Sequence, residues 1–571
     1  MLIVVDRRPG GGMLLTDERG TTEVLAAELA AAVAAREHEA GEPPRWVWSD
    51  TAALYPELLA AGVRVERCHD LRLVDTILAG VDGRPPEPAL ARIVEFVRPA
   101  MPRPQADALF DLEDDDSSRR RSPARTQPPA VSAPVPASSI ARAQRDELAR
   151  DRGPGAPTPR DLALLAAAES AGALTAIEMQ RTGLPWSATT HEALLTDLLG
   201  PRPDSPGARP ARLAALGAEV ERLLGASPGT VPLDSPPELV KALRRAGLEV
   251  SSARSWELSR IDHPAIEPLL RYKKLSRLLT ANGWNWLDTH VHDGRFRPSY
   301  VPGAVVTGRW GSAGGGALQL PKLIRGAVQA DPGWVLVVAD AAQLEPRILA
   351  ALSNDAAMAR AGAGEDLYAG IVASGAVESR EHAKLGMLGA MYGGTTGQSA
   401  RVLPRLQRAF PDAIRFVEEA ARAGERGERV RTRLGRTSPA PSEAWRERQL
   451  IAVSDAASAA QREEARSDAR SWGRFTRNFV VQGSAAEWAL SWMAGVRRRL
   501  WSPLGGPLAS QPHLVLFLHD ELIVHAPRER ALEVEEVMRA AAADAGRLLF
   551  PGSAVSFPVT VATVDRYSDT K

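Results

Sequence analysis

Val335-Leu-Val-Val-Ala-Asp340-Ala-Ala-Gln343-Leu-Glu345-Pro-Arg347 is an apolar, β-branched run that stops abruptly at a carboxylate. Such a run, bounded by a polar turn, has the pattern of a buried strand that delivers an acid at its end. The pattern recurs 180 residues further on, where Leu514-Val-Leu-Phe-Leu518 stops at His519-Asp520-Glu521 and Leu522-Ile-Val524 resumes as a returning strand. Between the two lies Arg380-Glu-His-Ala-Lys384-Leu-Gly-Met-Leu388-Gly-Ala-Met-Tyr392-Gly, in which Arg, Lys, Leu and Tyr recur every four residues. That spacing aligns them along one slowly drifting face of a helix.

Two strand-end carboxylates and a cationic helix suit phosphoryl or nucleotidyl transfer. In that chemistry two divalent ions, ~3.5–4 Å apart, clamp the attacking and leaving oxygens while Arg and Lys neutralise phosphate charge. Hard cations prefer oxygen ligands, so Asp340 and Asp520 fit Mg²⁺ better than zinc. Taken singly, a strand ending in Asp is usually a turn or cap, and an Arg/Lys face is usually solvated. The order and combination carry the reading.

At these residues the chain resembles the family A DNA polymerases, the bacterial DNA polymerase I group with its Klenow-like core. Asp340 to Arg347 looks like their motif A, Arg380 to Gly393 like motif B, and His519-Asp520-Glu521 like motif C. The likeness extends to Thr307-Gly308-Arg309, Leu318-Gln319, Arg325, Thr432 with Gly435-Arg436, and Arg474, Asn478 and Gln482-Gly483, and covers roughly residues 160 to 571. It is greatest to short, stand-alone members without a 5′-nuclease domain, usually labelled bifunctional 3′–5′ exonuclease/DNA polymerase.

The resemblance implies an α/β multidomain fold, a right-hand polymerase of thumb, palm and fingers behind an N-terminal α/β exonuclease-like domain. It implies template-directed addition of dNTPs to primer–template DNA, in repair or backup replication. Asp340, Asp520 and the carbonyl of Ala341 would bind two Mg²⁺ ions. Arg380 and Lys384 would hold the β- and γ-phosphates, with Lys384 also donating a proton to the leaving pyrophosphate. Gln343, Glu345, Tyr368, Leu388 and Tyr392 would line the dNTP site, Glu345 excluding a ribose 2′-hydroxyl. Arg309, Gln319, Arg325, Thr432, Arg436, Arg474, Asn478, Gln482 and His519 would contact DNA. Four positions depart from the family pattern: Leu388 replaces a Phe or Tyr, Ala341-Ala342 replaces Tyr-Ser, and Tyr368 replaces a His. A metal-dependent 3′–5′ exonuclease and a non-catalytic DNA-end-binding protein are the alternative readings.

A chain of 571 residues exceeds one hydrophobic core and implies several domains. Its charge balances at 70 basic against 70 acidic residues, yet Arg271 to Arg325 holds nine basic residues against Asp288 and Asp293, a possible phosphate-tracking strip. Cys68 is the only cysteine, so neither an intrachain disulfide nor a cysteine zinc site can form. Met1-Leu-Ile-Val-Val-Asp6-Arg-Arg8 is too short and too soon charged for a signal peptide, and no run of 18 apolar residues occurs. A soluble, cytoplasmic monomer is the expectation.

Along the chain, 1–102 reads as a small α/β unit with strands at Leu2–Val5, Trp46–Trp48 and Val63–Val65 and a helix over Thr21–Arg36. The exonuclease carboxylates that the resemblance asks for there find no credible element, since Asp6 is followed by two arginines and Asp111-Leu-Glu113 sits in an acidic stretch. The unit reads as an exonuclease fold retained without its chemistry. Residues 103–158 are acidic, then basic, then Pro/Ala/Ser-rich, and read as a disordered linker. Within it, Gln105-Ala-Asp107-Ala-Leu109-Phe110 resembles peptides that bind the sliding clamp. Helical periodicity returns over Leu162–Met179, Leu213–Leu224, Pro236–Ala246 and Pro264–Ala281. The domains are then thumb 159–299, palm 300–360, fingers 361–473 and palm again 474–571. Trp284, Trp286 and Trp310 read as core rather than as base-stacking platforms.

Overall fold

The run at Val335 folds as strand Trp334–Ala341 and the second run as the hairpin His513–Leu518 and Glu521–Pro527. In the computed structural model, residues 1–8, 12–39, 41–88, 90, 135–205, 207–394, 397–502 and 506–570 are described. The clamp-like peptide Gln105–Phe110 and the rest of 91–134 lie outside the described residues.

The N-terminal unit is a sheet of β1 (Leu2–Arg7), β2 (Gly12–Asp17), β3 (Gly20–Leu25), β4 (Arg45–Trp48) and β5 (Arg67–Asp70) in the order β3-β2-β1-β4-β5. β1 runs parallel to β4 and antiparallel to β2. Two expectations are corrected here. The stretch from Thr21 begins as β3, not as a helix, because β-branched Thr21, Thr22 and Val24 pair with β2; helix α1 starts only at Leu29 and runs to Glu37. Val63–Val65 is a connection after Gly62, whose left-handed φ of 79° ends helix α2 (Thr51–Ala60), and the strand forms at β5 instead.

The span 103–158, expected as a disordered linker, contains an ordered helix. Ala137–Ala149 forms helix α4, following α3 (Leu71–Asp82), and packs on β1, β4 and α3. Asp6 accepts from the backbone N–H groups of Ala137 (2.5 Å) and Ser138 (3.3 Å), and Gln144 donates to the Leu71 carbonyl at 2.8 Å. Composition alone argues against order here, but tertiary packing and a carboxylate at the helix N-terminus outweigh it.

Helix α5 (Pro159–Thr182) is long and apolar enough to cross a membrane, yet 72% of its most apolar window is buried within the protein, as befits a core helix. Three helices follow close to their expected bounds, at Ala211–Leu223, Pro236–Arg245 and Ile266–Asn282. Trp284, Trp286 and Trp310 are buried in the main core, as expected. The basic strip is divided between paired and exposed residues: Arg295 pairs with Asp331, Arg309 with Glu345, and Arg325 lies over the Tyr567 ring, whereas Arg271, Lys274 and Arg277 are exposed.

The second sheet contains β6 (Trp334–Ala341), β7 (His513–Leu518), β8 (Glu521–Pro527) and β9 (Val559–Val564), antiparallel in the order β7-β8-β6-β9. Val335 to Ala339 are buried without alternation, the mark of a strand covered on both faces. The boundary expected between 473 and 474 falls inside one continuous helix, Ala459–Leu500, which packs on helix Ala531–Leu549 beside the sheet.

A buried charge cluster joins the N-terminal unit to this core. Glu178 on α5 accepts from Tyr55 (2.6 Å), Arg64 (2.9 and 3.0 Å) and Arg497 (2.7 and 3.0 Å). Arg497 also donates to the carbonyls of Val65 and Glu66 at 2.6 and 2.7 Å. Burial opposes the Glu178 charge, but Arg497 and Arg64 override it and hold its pKa down to about 2.

Candidate active site

Both strand-end acids sit beside unusual backbone. Gln343, two residues past the end of β6, has a φ of 47°, and His519, opening the two-residue turn between β7 and β8, has a φ of 57°. Left-handed backbone is uncommon for non-glycine residues and persists where surroundings over-determine it. The sheet register sets Asp340 opposite Glu521 on β8 and Thr560 on β9. The Ala341 N–H then donates to the Asp520 carbonyl at 3.0 Å, which ties the two acid-bearing turns together.

Both acids are half-buried. Burial raises the Asp520 pKa from 3.8 to about 6; Arg309 opposes the rise, and Glu345 and Asp340 add to it. A carboxylate so disfavoured in its charged form gains from a cation. Among the described residues no group of three or more His, Cys, Asp or Glu gathers into a metal cage. Two carboxylates with carbonyls nearby suit Mg²⁺, which commonly binds one or two carboxylates and keeps water or phosphate in its other positions.

The motif B helix spans Arg380–Tyr392, capped by the Ser379 hydroxyl, which accepts from the His382 N–H at 3.1 Å. It closes at Gly393 with a φ of 76°; a Cβ there would lie 2.9 Å from Arg474 Cγ, so glycine permits both the turn and the close approach of the long helix. Its i, i+4 face grades from solvent to core. Arg380 and Lys384 are exposed, and Leu388 and Tyr392 are half-buried. Lys384 has no ion-pair partner among the described residues. Arg380 donates to Asp366 at 2.7 Å and lies over the ring of Tyr368 at 5.5 Å. Such an exposed pair contributes little and yields readily to a stronger anion.

Glu345 is held from both sides, by Arg309 at 2.5 Å and by the Tyr392 hydroxyl at 2.6 Å. Burial and the adjacent Glu345 charge push the Tyr392 phenol well above its usual range, keeping it a donor. Arg474, Asn478 and Gln482 share one half-buried face of the helix Ala459–Leu500, and His519 and Gln319 are exposed.

Several expected ligand residues prove committed elsewhere. Thr432 and Arg436, expected to contact DNA, are both buried, Thr432 bonded to Glu487 and Arg436 to Glu169 at 2.6 Å. Gln343 uses its amide oxygen to accept from the Leu367 N–H at 3.1 Å, at the start of helix Leu367–Ala373. Tyr368 is buried under Arg380, its phenol pushed up to about 12 by burial, and forms a floor rather than an open wall. Arg325 stacks on Tyr567 at 4.3 Å, and Tyr567 bonds Glu521.

Arg347 is the functional support that sequence reading passed over. It is fully buried and donates to the carbonyls of Ala342 (2.9 Å), Gly362 (2.5 Å), Ser556 (3.2 Å), Gly364 (2.8 Å) and Glu365 (2.8 Å). It thereby binds the turn after Asp340 to the loop that carries Asp366. An arginine in the motif was visible; that its partners are all backbone oxygens was not.

A sequence model of DNA polymerase family A matches residues 232–568, more than half of the chain, and the chain belongs to that family. Its relatives include the thermostable DNA polymerase I of Thermus filiformis, 28% identical over 56% of this chain and 38% of that protein. The Thermus aquaticus enzyme of the same description is 28% identical over 57% and 41%, and DNA polymerase I of Chloroflexus aurantiacus is 27% identical over 54% and 33%. The chain thus matches about two fifths or less of these relatives' lengths. In fold it is similar to the POL domain of Pol1 from M. smegmatis, solved with DNA primer-template and dNTP, with a TM-score of 0.65 and 18% identity over 99% of this chain and 95% of that one.

Proposed function

We propose that this protein is a DNA-directed DNA polymerase that extends a primer 3′ end with dNTPs, in DNA repair or backup replication. The observation that carries the reading is the joined pair of turns, Ala341 N–H to Asp520 carbonyl, which brings together two acids from strands far apart in sequence in a chain of this family. The POL domain to which the fold is similar was solved with primer-template and dNTP, and the relatives' names agree.

Asp340, Asp520 and the Ala341 carbonyl would hold two Mg²⁺, and such ions when bound supply a lowered hydroxyl pKa and charge neutralisation on phosphate. The protein's own groups do the rest. Arg380 exchanges Asp366 for the triphosphate, and Lys384, one helical turn on, meets the same phosphates and donates a proton to the departing pyrophosphate. Glu345, fixed by Arg309 and Tyr392, stands rigidly on the sugar side and excludes a 2′-hydroxyl. Arg474, Asn478, Gln482, Gln319 and His519 line the approach of primer and template.

The N-terminal unit contributes no proofreading in this reading. Asp6 is spent on the N-terminus of α4, Asp50 on Arg72 at 3.0 Å, and Asp70 on the backbone of Thr51 and Leu73 at 2.7 and 2.9 Å. A sliding-clamp contact through Gln105, Asp107, Leu109 and Phe110, and action in the cytoplasm as a monomer, complete the proposal.

Primer extension with Mg²⁺ and dNTPs tests it. Asp340→Ala should abolish extension and leave duplex binding nearly intact; extension within a few-fold of wild type sinks the mechanism. Metal-dependent release of mononucleotides from single-stranded 3′ ends by the Asp340→Ala protein would show that proofreading exists. Clamp-stimulated extension unchanged by Leu109→Ala with Phe110→Ala would remove the clamp contact.

A further inference from the structure

The turn Thr307-Gly308-Arg309 supplies Arg309 to Glu345, and something must hold that turn. It is closed by the Gly308 N–H to the Val305 carbonyl at 2.8 Å and the Val305 N–H to the Arg309 carbonyl at 3.2 Å. Gly308 has a φ of 87°, and a Cβ there would lie 2.5 Å from Arg436 Nε, so the guanidinium rests directly on the turn. Arg436 is in turn aimed by Glu169, 2.6 Å away on α5, the two side chains being 8% and 1% exposed. The next residue, Ser170, accepts from the Asp70 N–H at 3.1 Å, so the N-terminal unit seats beside the pair. From behind, the Thr307 carbonyl and the Thr432 side chain lie 3.2 and 2.4 Å from where a Gly483 Cβ would stand.

We propose that Glu169 and Arg436 are positioning residues that hold Arg309, and through it Glu345, in the orientation that discriminates deoxyribose from ribose. A buried ion pair adds little net stability over apolar side chains of the same volume, but it fixes a planar guanidinium in one orientation. That orientation is what the turn senses, because no side chain intervenes at Gly308. Arg309 is one residue further along and reaches Glu345 at 2.5 Å, while Tyr392 holds the other carboxylate oxygen. The inference rests on the polymerase reading and deepens it by assigning the sugar selectivity of that site to residues that touch no nucleotide.

The test is the ratio of kcat/KM for a dNTP to that for the matching rNTP, in Glu169→Gln, Arg309→Ala and the double variant, with Tm measured alongside. A ratio is blind to the fraction of protein that is folded, so a merely structural role leaves it unmoved. The expected result for Glu169→Gln is a ratio lowered by about fivefold or more, partly restored in Glu169→Asp, with the double variant no lower than Arg309→Ala alone. A Glu169→Gln ratio within about twofold of wild type, or single effects that multiply in the double variant, overturns it. Where Glu169→Gln does not fold, Arg436→Lys and Glu169→Asp take its place, and a ratio within about twofold of wild type in both overturns the proposal equally. Wild-type protein that extends primers with an unchanged variant ratio defeats this inference alone; wild-type protein that extends nothing defeats the polymerase reading, and this falls with it.

Discussion

Asp520→Asn should stabilise the metal-free protein while abolishing the proposed primer extension. Folding raises the Asp520 pKa from 3.8 to about 6, chiefly by burial, with Glu345 and Asp340 adding to it against the pull of Arg309. Two pH units correspond to about 3 kcal/mol, and the partial exposure of the side chain reduces this to about 1–3 kcal/mol. The sign follows from the direction of the shift. Because the folded value lies above the unfolded one, the favourable contribution of the group is fully present below 3.8 and is lost as pH rises through about 6. At pH 7.5 the folded protein therefore bears the whole cost of the charged carboxylate, which Asn removes at nearly the same shape. Urea denaturation in EDTA should show Asp520→Asn more stable than wild type at about pH 7.5, with the gain roughly halved at about pH 5. Adding Mg²⁺ should stabilise wild type and close the gap. A variant less stable than wild type in EDTA at neutral pH, or Mg²⁺ stabilising both equally, would refute the idea that this carboxylate is held in a strained charge state for a cation.

Three further outcomes are expected. Arg497→Met removes the partner that spans Glu178 and the Val65 and Glu66 carbonyls and should lower stability by about 3–5 kcal/mol in chemical denaturation, with Glu178→Gln in the same chain recovering part; a loss under about 1 kcal/mol would show that the cluster does not hold the N-terminal unit in place. With Leu388 in the proposed dNTP site, Leu388→Phe should lower the KM for dNTPs about threefold to tenfold by giving the sugar a flat contact, which steady-state kinetics would read directly. His513 and His525 are depressed to about 4 and about 3 by burial, so the unfolded chain binds protons they refuse, and stability should fall as pH drops below 6.5. His525→Gln, which keeps an acceptor for the Asp331 N–H, should flatten that fall in denaturation midpoints between about pH 6.5 and 4.5.

Period and spacing were enough to read the centre of this molecule. The unbroken apolar run before Asp340, its echo before Asp520 and the four-residue repeat from Arg380 to Tyr392 are local signals, and each became the strand or helix its period demands. The helices Pro159–Thr182, Ala211–Leu223, Pro236–Arg245 and Ile266–Asn282 were legible for the same reason. Where local preference was weak, the chain's neighbours decided instead. Thr21–Leu25 became a strand because β2 offered it a ladder, and Ala137–Ala149 became a helix because Asp6, 131 residues earlier, received its first N–H groups. The fate of charged side chains was equally hidden. Arg436 and Arg309 look alike in sequence, yet one is sunk against Glu169 and the other reaches Glu345 at the site, and Arg347 is wholly consumed by five carbonyls. Burial sets the worth of a charge, and burial depends on which distant segments fold over it; no window of sequence contains that information.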